Sequence, residues 1–212
     1  FKFNFIYILN LDEIFSFKGY DKIYDQRNWY LANCRLSSYG LELISKSLKK
    51  ILDKIYNSPK KALILDCDNT LWGGIVGEDG IKSLKLGQDG IGKAYLDFQK
   101  SVKKLSLNGV ILCVASKNNF KDVLEVFKKH NHMQIKKKDI VSFKVNWSEK
   151  YYNIKAISKE LNIGLDSMVF WDDNPLERNK MRKFLPEVHT VEPNNEIIYW
   201  PKQLNEMEFF SK

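Results

Sequence analysis

Short apolar runs alternate along the chain with segments in which apolar residues recur at helical spacing. The runs predict strands that are buried on both faces, and the periodic segments predict amphipathic helices between those strands. The predicted strands are Ala62–Leu65, Val110–Ala115, Ile140–Val145, Met168–Trp171 and Val188–Val191. The predicted helices are Ser37–Leu52, a segment from Tyr95 that ends near Gly109, Phe120–Lys129 and Tyr151–Leu161.

This alternation predicts the class of fold. Strands joined by helices pair in parallel, and the right-handed crossover rule then gives a doubly wound (Rossmann-like) α/β sheet with helices on both sides. The chain has 212 residues, 44% of them hydrophobic, so we expect one main domain with one core. We place that domain at residues 58–212, from the break at Ser58-Pro59 onward. Since the chain begins with Phe1 rather than methionine, we expect residues 1–57 to be a lead-in segment, the end of a truncated upstream domain.

Composition narrows the cellular setting and the possible partners. No apolar stretch approaches the ~20 residues that span a bilayer, and the opening segment lacks the apolar core of a signal peptide, so we expect a cytoplasmic protein without a membrane partner. Three cysteines, an odd number, give neither a disulfide framework nor a Cys-x-x-Cys zinc site. The formal charge of +8 favours an acidic or phosphorylated partner, but the basic residues are scattered, so nucleic acid is not the expected partner.

Aspartates directly follow two of the predicted strands. Asp66 and Asp68 come after the first strand, and Asp172 and Asp173 come after the fourth. Either pair alone is compatible with simple capping of a turn. In an open parallel sheet, however, ligands bind where the carboxyl ends of the strands meet, and two such pairs at one edge would repel each other without a cation between them. Oxygen ligands without histidine or cysteine favour Mg²⁺.

The same segments resemble a known family. The apolar strand followed by DCDNTL at residues 66–71 resembles the first motif of the haloacid dehalogenase (HAD) superfamily of phosphohydrolases and phosphotransferases. Ser116, Lys150 and the Asp172-Asp173 pair match its later motifs in order. Longer strings at these positions resemble those of a narrower group, the FkbH-like proteins. These strings are DNTLWGG, GEDG, SKN, NW and DDNPLER. The resemblance covers most of the chain and implies a HAD-like fold.

The resemblance implies roles for the acidic residues and for Thr70. Asp66 would be the nucleophile that takes the phosphoryl group as an aspartyl-phosphate, and Asp68 would be the general acid and base. The implied Mg²⁺ ligands are Asp66, Asp172 and, through its main-chain carbonyl, Asp68. Asp173 would act through water or orient the lysine, although the two residues of this pair can trade roles. Thr70 would brace the nucleophile loop by hydrogen bonding to its backbone and lies in the phosphate-binding set.

The resemblance also implies a set of donors and cations for the phosphate. Lys150 would neutralise the developing charge, and its offset from the NW string favours it over the rival lysines Lys117 and Lys155. Ser116 would donate its hydroxyl to a phosphate oxygen. The main-chain N–H groups of Lys117 and Asn118, at the start of the next helix, would add an anion nest.

Supporting roles fall to the flap and to the helix after the fourth strand. Gly73 and Gly74 begin a short flap after the first strand. No stretch is long enough for a cap domain, so we expect the mouth to stay open to a large substrate or a partner protein. Asn174 is predicted to cap the following helix, with Glu177 reaching back to complete a capping-box variant. Arg178 either has a structural role or meets a carboxylate or the substrate.

These motifs predict a Mg²⁺-dependent phosphohydrolase or phosphotransferase that acts through an aspartyl-phosphate on a phosphorylated small molecule. An FkbH-like protein would instead pass a glyceryl group from 1,3-bisphosphoglycerate to an acyl carrier protein. A covalent thioester relay needs a reactive thiol, but Cys67 and Cys113 are interpreted as core residues, and Ala115 stands where relatives often carry cysteine. A third hypothesis is a phosphatase or binding module for nucleic-acid ends or phosphoproteins.

Overall fold

The computed structural model describes residues 6–16, 18–56, 58–207 and 210. The chain divides into two compact units, with the boundary between Ser58 and Pro59. The predicted lead-in segment ended at residue 57, which lies outside the described residues, as do both ends of the chain. That this segment is the end of an upstream domain stays a prediction.

The second unit is built on a five-stranded sheet in which all neighbouring strands pair in parallel. The strands are β1 (Ala62–Leu65), β2 (Ile111–Ser116), β3 (Ile140–Val145), β4 (Met168–Trp171) and β5 (His189–Thr190). Their order is β3-β2-β1-β4-β5. The chain therefore runs outward from β1 to β3 and returns on the other side of β1 at β4, so the strand order reverses between β1 and β4. The predicted parallel α/β sheet is confirmed.

Ten α-helices occur among the described residues. They are α1 (Leu11–Ser16), α2 (Tyr20–Ile23), α3 (Gln26–Ala32) and α4 (Ser38–Tyr56) in the first unit, then α5 (Val76–Asp79), α6 (Gly90–Leu107), α7 (Phe120–Lys129), α8 (Lys150–Leu161), α9 (Pro175–Phe184) and α10 (Trp200–Asn205). The prediction for α7 is confirmed at both ends, whereas α4 continues four residues past the predicted Leu52. Gly109 has φ of 92° just past the end of α6, which confirms the predicted left-handed cap.

The sheet is covered by helices on both faces, and the alternation along β1 shows how. Leu63 and Leu65 point into one apolar cluster, which includes side chains of α6, α7 and α10. Ala62 and Ile64 point into the other, which includes side chains of α8 and α9. All four are fully buried, as a strand covered on both faces requires. The predicted doubly wound arrangement is confirmed.

The segment 66–89, which links β1 to α6, forms a short flap. It holds only α5 and the 3-10 turn Ile81–Ser83, and Gly73 and Lys85 pair across it as an antiparallel bridge. A Cβ atom on Gly73 would lie 2.7 Å from the ring of Tyr95, so only glycine allows this close approach. Among the described residues, no cap domain is inserted in this segment.

The described residues of the first unit form the four helices α1 to α4. Gly40 in α4 lies against α2, where an added Cβ atom would come within 2.6 Å of the carbonyl oxygen of Ile23. Ile23 is fully buried at this contact. Over the ranges that the structure describes in both units, no helix is long and apolar enough to cross a membrane.

Candidate active site

The aspartates that follow β1 and β4 leave the sheet side by side. Leu65 and Trp171, the last residues of these strands, are partners in the parallel register. One residue further, the main-chain N–H of Asp66 donates to the carbonyl oxygen of Trp171 at 3.1 Å. Asp66 and Asp172 therefore lie at the point where the strand order reverses, which is where open α/β sheets bind their ligands.

Lys150, the first residue of α8, lies between these two aspartates. Its Nζ atom is 2.9 Å from Oδ1 of Asp66 and 2.6 Å from Oδ2 of Asp172, and its side chain is only 4% exposed. The two rival lysines lie elsewhere: Lys117 forms ion pairs with glutamates, and Lys155 is exposed. The structure thus brings Lys150, and neither rival, to the predicted aspartates.

The site carries more negative than positive charge. Burial, followed by the charge of Asp66, raises the pKa of Asp172 to about 7, and the same two causes raise the pKa of Asp173. Burial alone would lower the pKa of Lys150, but the adjacent carboxylates of Asp66 and Asp172 outweigh it and the pKa is raised. One ammonium group therefore faces three carboxylates in a largely buried site.

These three carboxylates have the geometry of a metal site. One carboxylate oxygen from each of Asp66, Asp172 and Asp173 lies within 4.8 Å of the other two. Oδ1 of Asp66 is buried and, despite its ion pair with Lys150, receives no hydrogen bond of normal geometry. An all-oxygen set with an unsatisfied buried oxygen fits a hard divalent cation such as Mg²⁺.

Asp68 lies at the same edge, but its carboxylate is held by partners outside this acidic group. Oδ1 accepts hydrogen bonds from the indole Nε1 of Trp72 at 2.8 Å and from the main-chain N–H of Val76 at 3.2 Å. Oδ2 accepts from Nδ2 of Asn118 at 2.7 Å. The carboxylate that joins the acidic group is instead that of Asp173, while a metal role for the main-chain carbonyl of Asp68 stays a prediction.

Thr70 links the β1 loop to the β4 loop. Its hydroxyl donates to Oδ1 of Asp173 at 3.1 Å and accepts from the main-chain N–H of Asp173 at 3.3 Å. The prediction that Thr70 bonds the backbone of its own loop is therefore wrong. Of the alternatives left open for the Asp172-Asp173 pair, the contacts favour traded roles with respect to the lysine, because Lys150 pairs with Asp172 whereas Asp173 pairs with the fully buried Thr70.

The loop after β2 brings Ser116 and Asn118 to the site. Ser116 is the last residue of β2 rather than the residue after it, because the strand lies one residue further along than predicted. Nδ2 of Asn118 contacts Oγ of Ser116 at 3.4 Å as well as Asp68. The prediction that Lys117 and Asn118 stand at the start of the next helix is wrong. The helix α7 begins at Phe120 and its N-cap is Asn119, so Lys117 and Asn118 precede the cap.

The side chain of Glu177 makes a contact that the sequence did not indicate. Asn174 caps α9 as predicted, because its side chain accepts from the main-chain N–H of Leu176. The predicted capping box is wrong, however. The main-chain N–H of Asn174 donates to Asp172, and Glu177 instead accepts from Lys117 at 3.0 Å. The charge of Lys117, 60 residues away, outcompetes the local backbone donor.

Arg178 holds the main chain of the β4 loop. Its NH1 group donates to the carbonyl oxygen of Asp172 at 3.0 Å and to that of Asp173 at 2.6 Å. Its NH2 group pairs with Glu192, and the residue is 7% exposed. Of the alternatives left open for Arg178, these contacts favour a structural role together with a carboxylate partner.

Gly74 in the flap has a positive φ of 105°, as predicted from the freedom of glycine to adopt positive φ. Its main-chain N–H donates to the side chain of Asn69 at 2.9 Å, and Asn69 itself has φ of 53°. The hydroxyl of Tyr95 in α6 donates weakly to the carbonyl of Asn69 at 3.4 Å. These contacts fix the path by which the chain leaves the motif after β1.

Two residues that support the β1 loop were not predicted from the sequence. Trp72, four residues after Asp68, is fully buried and donates to its carboxylate. Gln99 in α6 is fully buried, donates to the carbonyl of Leu71 at 2.6 Å and accepts from the main-chain N–H of Gln134 at 2.8 Å. A glutamine within an apolar helix stripe is the signal that would have identified Gln99.

The cysteines near the sheet lack the environment of reactive thiols. Cys67 and Cys113 are fully buried. Burial, followed by the charges of Asp66 and Asp68, raises the pKa of Cys67, and burial raises that of Cys113 to about 12. Both therefore stay protonated and fill the core.

The chain is similar to a protein of solved structure. The structure is that of the N-terminal part of the protein BF1531 from Bacteroides fragilis, which contains a phosphatase domain and is complexed with Mg. It matches 95% of the present chain at 40% sequence identity with a TM-score of 0.85. The present chain covers 54% of that chain, so it spans about half of its length.

A HAD family enzyme from Bacteroides thetaiotaomicron, in a magnesium complex, matches 64% of the chain and 94% of its own, with a TM-score of 0.44 and 13% identity. This second similarity is too low to support an inference about the present chain. No protein-family model and no curated protein matches the chain.

Proposed function

We propose that the chain belongs to the HAD superfamily and is a Mg²⁺-dependent phosphohydrolase or phosphotransferase that acts on a phosphorylated small molecule. The observation that carries the proposal is the buried group at the ends of β1 and β4. There Lys150 lies between Asp66 and Asp172, and Asp173 completes a set of three carboxylates. A narrower assignment to the FkbH-like proteins remains part of this proposal.

Asp66 is the proposed nucleophile. Its carboxylate attacks phosphorus in line, so that a bond from Oδ to phosphorus forms as the bond from phosphorus to the leaving oxygen breaks. Lys150, 2.9 Å from Asp66, stabilises the negative charge on the phosphoryl oxygens. Ser116 and the N–H groups of its loop donate hydrogen bonds to those oxygens.

Asp68 is the proposed general acid and base. It gives a proton to the leaving oxygen in the first step and takes a proton from the attacking water in the second, which releases phosphate and restores Asp66. Trp72, Val76 and Asn118 hold its carboxylate from two sides. Because Val76 belongs to the flap, the position of Asp68 depends on the position of the flap.

The proposed metal ligands are the carboxylates of Asp66 and Asp172 and the main-chain carbonyl of Asp68, with Asp173 beside them. When bound, Mg²⁺ supplies positive charge that offsets the charge of the carboxylates and of the phosphate oxygens. Arg178 holds the carbonyl oxygens of Asp172 and Asp173 and so keeps both carboxylates at the metal site. The Mg complex of the similar Bacteroides domain supports this choice of ion.

Hydrolysis of p-nitrophenyl phosphate with and without Mg²⁺ tests the proposal. The wild type should release nitrophenol only with the metal, and Asp66→Asn should abolish turnover while leaving the melting temperature within a few degrees. A phosphorylated carboxylate trapped on Asp66 by mass spectrometry would establish the intermediate. Turnover by Asp66→Asn at the wild-type rate would refute the proposed nucleophile.

Two other functions are weighed against this one. Glyceryl transfer from 1,3-bisphosphoglycerate to an acyl carrier protein through a protein thioester is disfavoured by the buried, protonated thiols of Cys67 and Cys113. A mass increase on the thiol arm of a carrier protein would support that function. Action on nucleic-acid ends or phosphoproteins rests on the charge of +8 alone, and a salt-sensitive shift with short oligonucleotides would support it.

A further inference from the structure

Exposed large apolar side chains occur in the segments that follow four of the strands. They are Ile75 after β1, Phe120 after β2, Trp147 after β3 and Leu176 after β4. Trp147 is the largest of them, and 69% of it is exposed. These segments begin at the end of the sheet that carries the candidate site, because the carboxyl ends of parallel strands lie at one end of a sheet.

Trp147 is held in place although it is exposed. Its indole Nε1 donates to Oδ1 of Asn119 at 3.3 Å, and Asn119 in turn donates to Asp122 at 3.2 Å. The neighbouring Asn146 donates its main-chain N–H to the carbonyl of Ser116 at 3.1 Å. Trp147 therefore joins the loop after β3 to the loop after β2, with its polar atom satisfied and its ring left open to solvent.

The position of Trp147 relates it to the reaction site. It lies three residues before Lys150, and the residue before it is bonded to Ser116. A phosphate held by Ser116 and Lys150 directs its leaving group toward the open edge of the sheet, because Asp66 attacks from the opposite side in an in-line displacement. Across the described residues of the flap, no cap domain covers that edge, which leaves the side of the leaving group open.

We propose that Trp147 is a specificity-determining residue that stacks against a planar or apolar leaving group of the phosphate monoester. The inference rests on the proposed function, which supplies the phosphate at Asp66. Phe120, 44% exposed and next to Asn119 in sequence, adds apolar surface to the same rim. The substrate class is thus a phosphate ester of an aromatic or bulky apolar alcohol rather than of a small polar one.

Turnover of two substrates tests the inference. The ratio of kcat/KM for 1-naphthyl phosphate to that for glycerol phosphate should fall about tenfold in Trp147→Ala, the size expected for loss of one stacking contact. Trp147→Phe should keep most of the ratio. Leu107→Ala is the matched control, because Leu107 is 77% exposed at the last residue of α6, at the opposite edge of the sheet.

Calorimetric binding of 1-naphthyl phosphate and of inorganic phosphate, both with Mg²⁺, separates this inference from the proposed function. The naphthyl ester should bind tighter in the wild type, and Trp147→Ala should remove that preference. If turnover is seen but neither the ratio nor the preference depends on Trp147, the inference is overturned and the proposed function stands. If no turnover is seen but the preference depends on Trp147, the inference stands and the proposed function fails. Absence of both overturns both.

Discussion

The ammonium group of Lys150 lies 2.6 Å from a carboxylate oxygen of Asp172, and both side chains are almost completely buried. Neither group would be stable there alone, because a buried charge without a partner loses its hydration and gains nothing in return. Loss of either partner should therefore destabilise the second unit as well as alter the candidate site.

Replacing Lys150 with methionine leaves the three carboxylates without their cation. In EDTA, we expect Lys150→Met to lower the free energy of unfolding by about 3 kcal/mol, the usual cost of breaking a buried ion pair. Mg²⁺ should restore part of this loss, because it offsets the same charges. Urea unfolding with and without the metal measures both effects. Lys155→Met, on the exposed side of the same helix, is the control, and an equal loss in the two variants would contradict the prediction.

Metal binding should stabilise the fold through Asp172. A metal that binds only the folded state, present at a hundred times its Kd, adds about 2.7 kcal/mol. We therefore expect Mg²⁺ to raise the melting temperature of the wild type, and Asp172→Asn to remove most of that rise. Asp122→Asn, at a partly exposed position of α7, should keep the full rise. A rise of the same size in Asp172→Asn would show that the ion binds elsewhere.

Arg178 and Arg182 both form an ion pair with Glu192 but differ in burial and in their other contacts. Arg178 is buried and also holds the carbonyls of Asp172 and Asp173, whereas Arg182 is 41% exposed. We expect Arg178→Met to cost about 2–3 kcal/mol of unfolding free energy, because buried carbonyls lose a charged donor. Arg182→Met should change it by less than about 0.5 kcal/mol, as surface substitutions usually do. Chemical denaturation compares the two, and equal losses would assign the effect to Glu192.

Thiol labelling checks the interpretation of the cysteines. Near pH 8, iodoacetamide should label Cys34, which is partly exposed, and spare Cys67 and Cys113 in the native protein. Since burial raises the pKa of Cys113 to about 12, raising the pH to about 9 should not open it to labelling. In denaturant all three should react. Mass spectrometry counts the labels. Labelling of Cys67 in the native protein would support the glyceryl transfer through a thioester.

The sequence predicted much of the fold because the strands of a parallel sheet are continuous apolar runs. β1 and β4 have the bounds that their apolar runs predict, since burial on both faces leaves no polar residue inside them. β3 also has its predicted bounds, although it contains Ser142 and Lys144. The short helices α1, α2 and α5 were not predicted, because one or two turns carry too little periodicity to be recognised.

For the candidate site, the residue types and their meeting point were predictable but their partners were not. Thr70 pairs with Asp173 across 103 positions, and Glu177 pairs with Lys117 across 60. Local patterns favour neighbours in sequence, as in a helix cap. A pairing between loops is decided only when the sheet brings their strands together.

The hydrogen bond from the main-chain N–H of Asp66 to the carbonyl of Trp171 fixes the spacing between the chain ends that carry Asp66 and Asp172. Neighbouring strands of a sheet lie ~4.8 Å apart, so the distance between the two acidic positions is set by the backbone ladder rather than by side-chain conformation. Insertions after β2 or β3 would change what enters the mouth but leave that distance intact. The loops around the mouth can therefore vary in length while the spacing of the two acidic positions is kept.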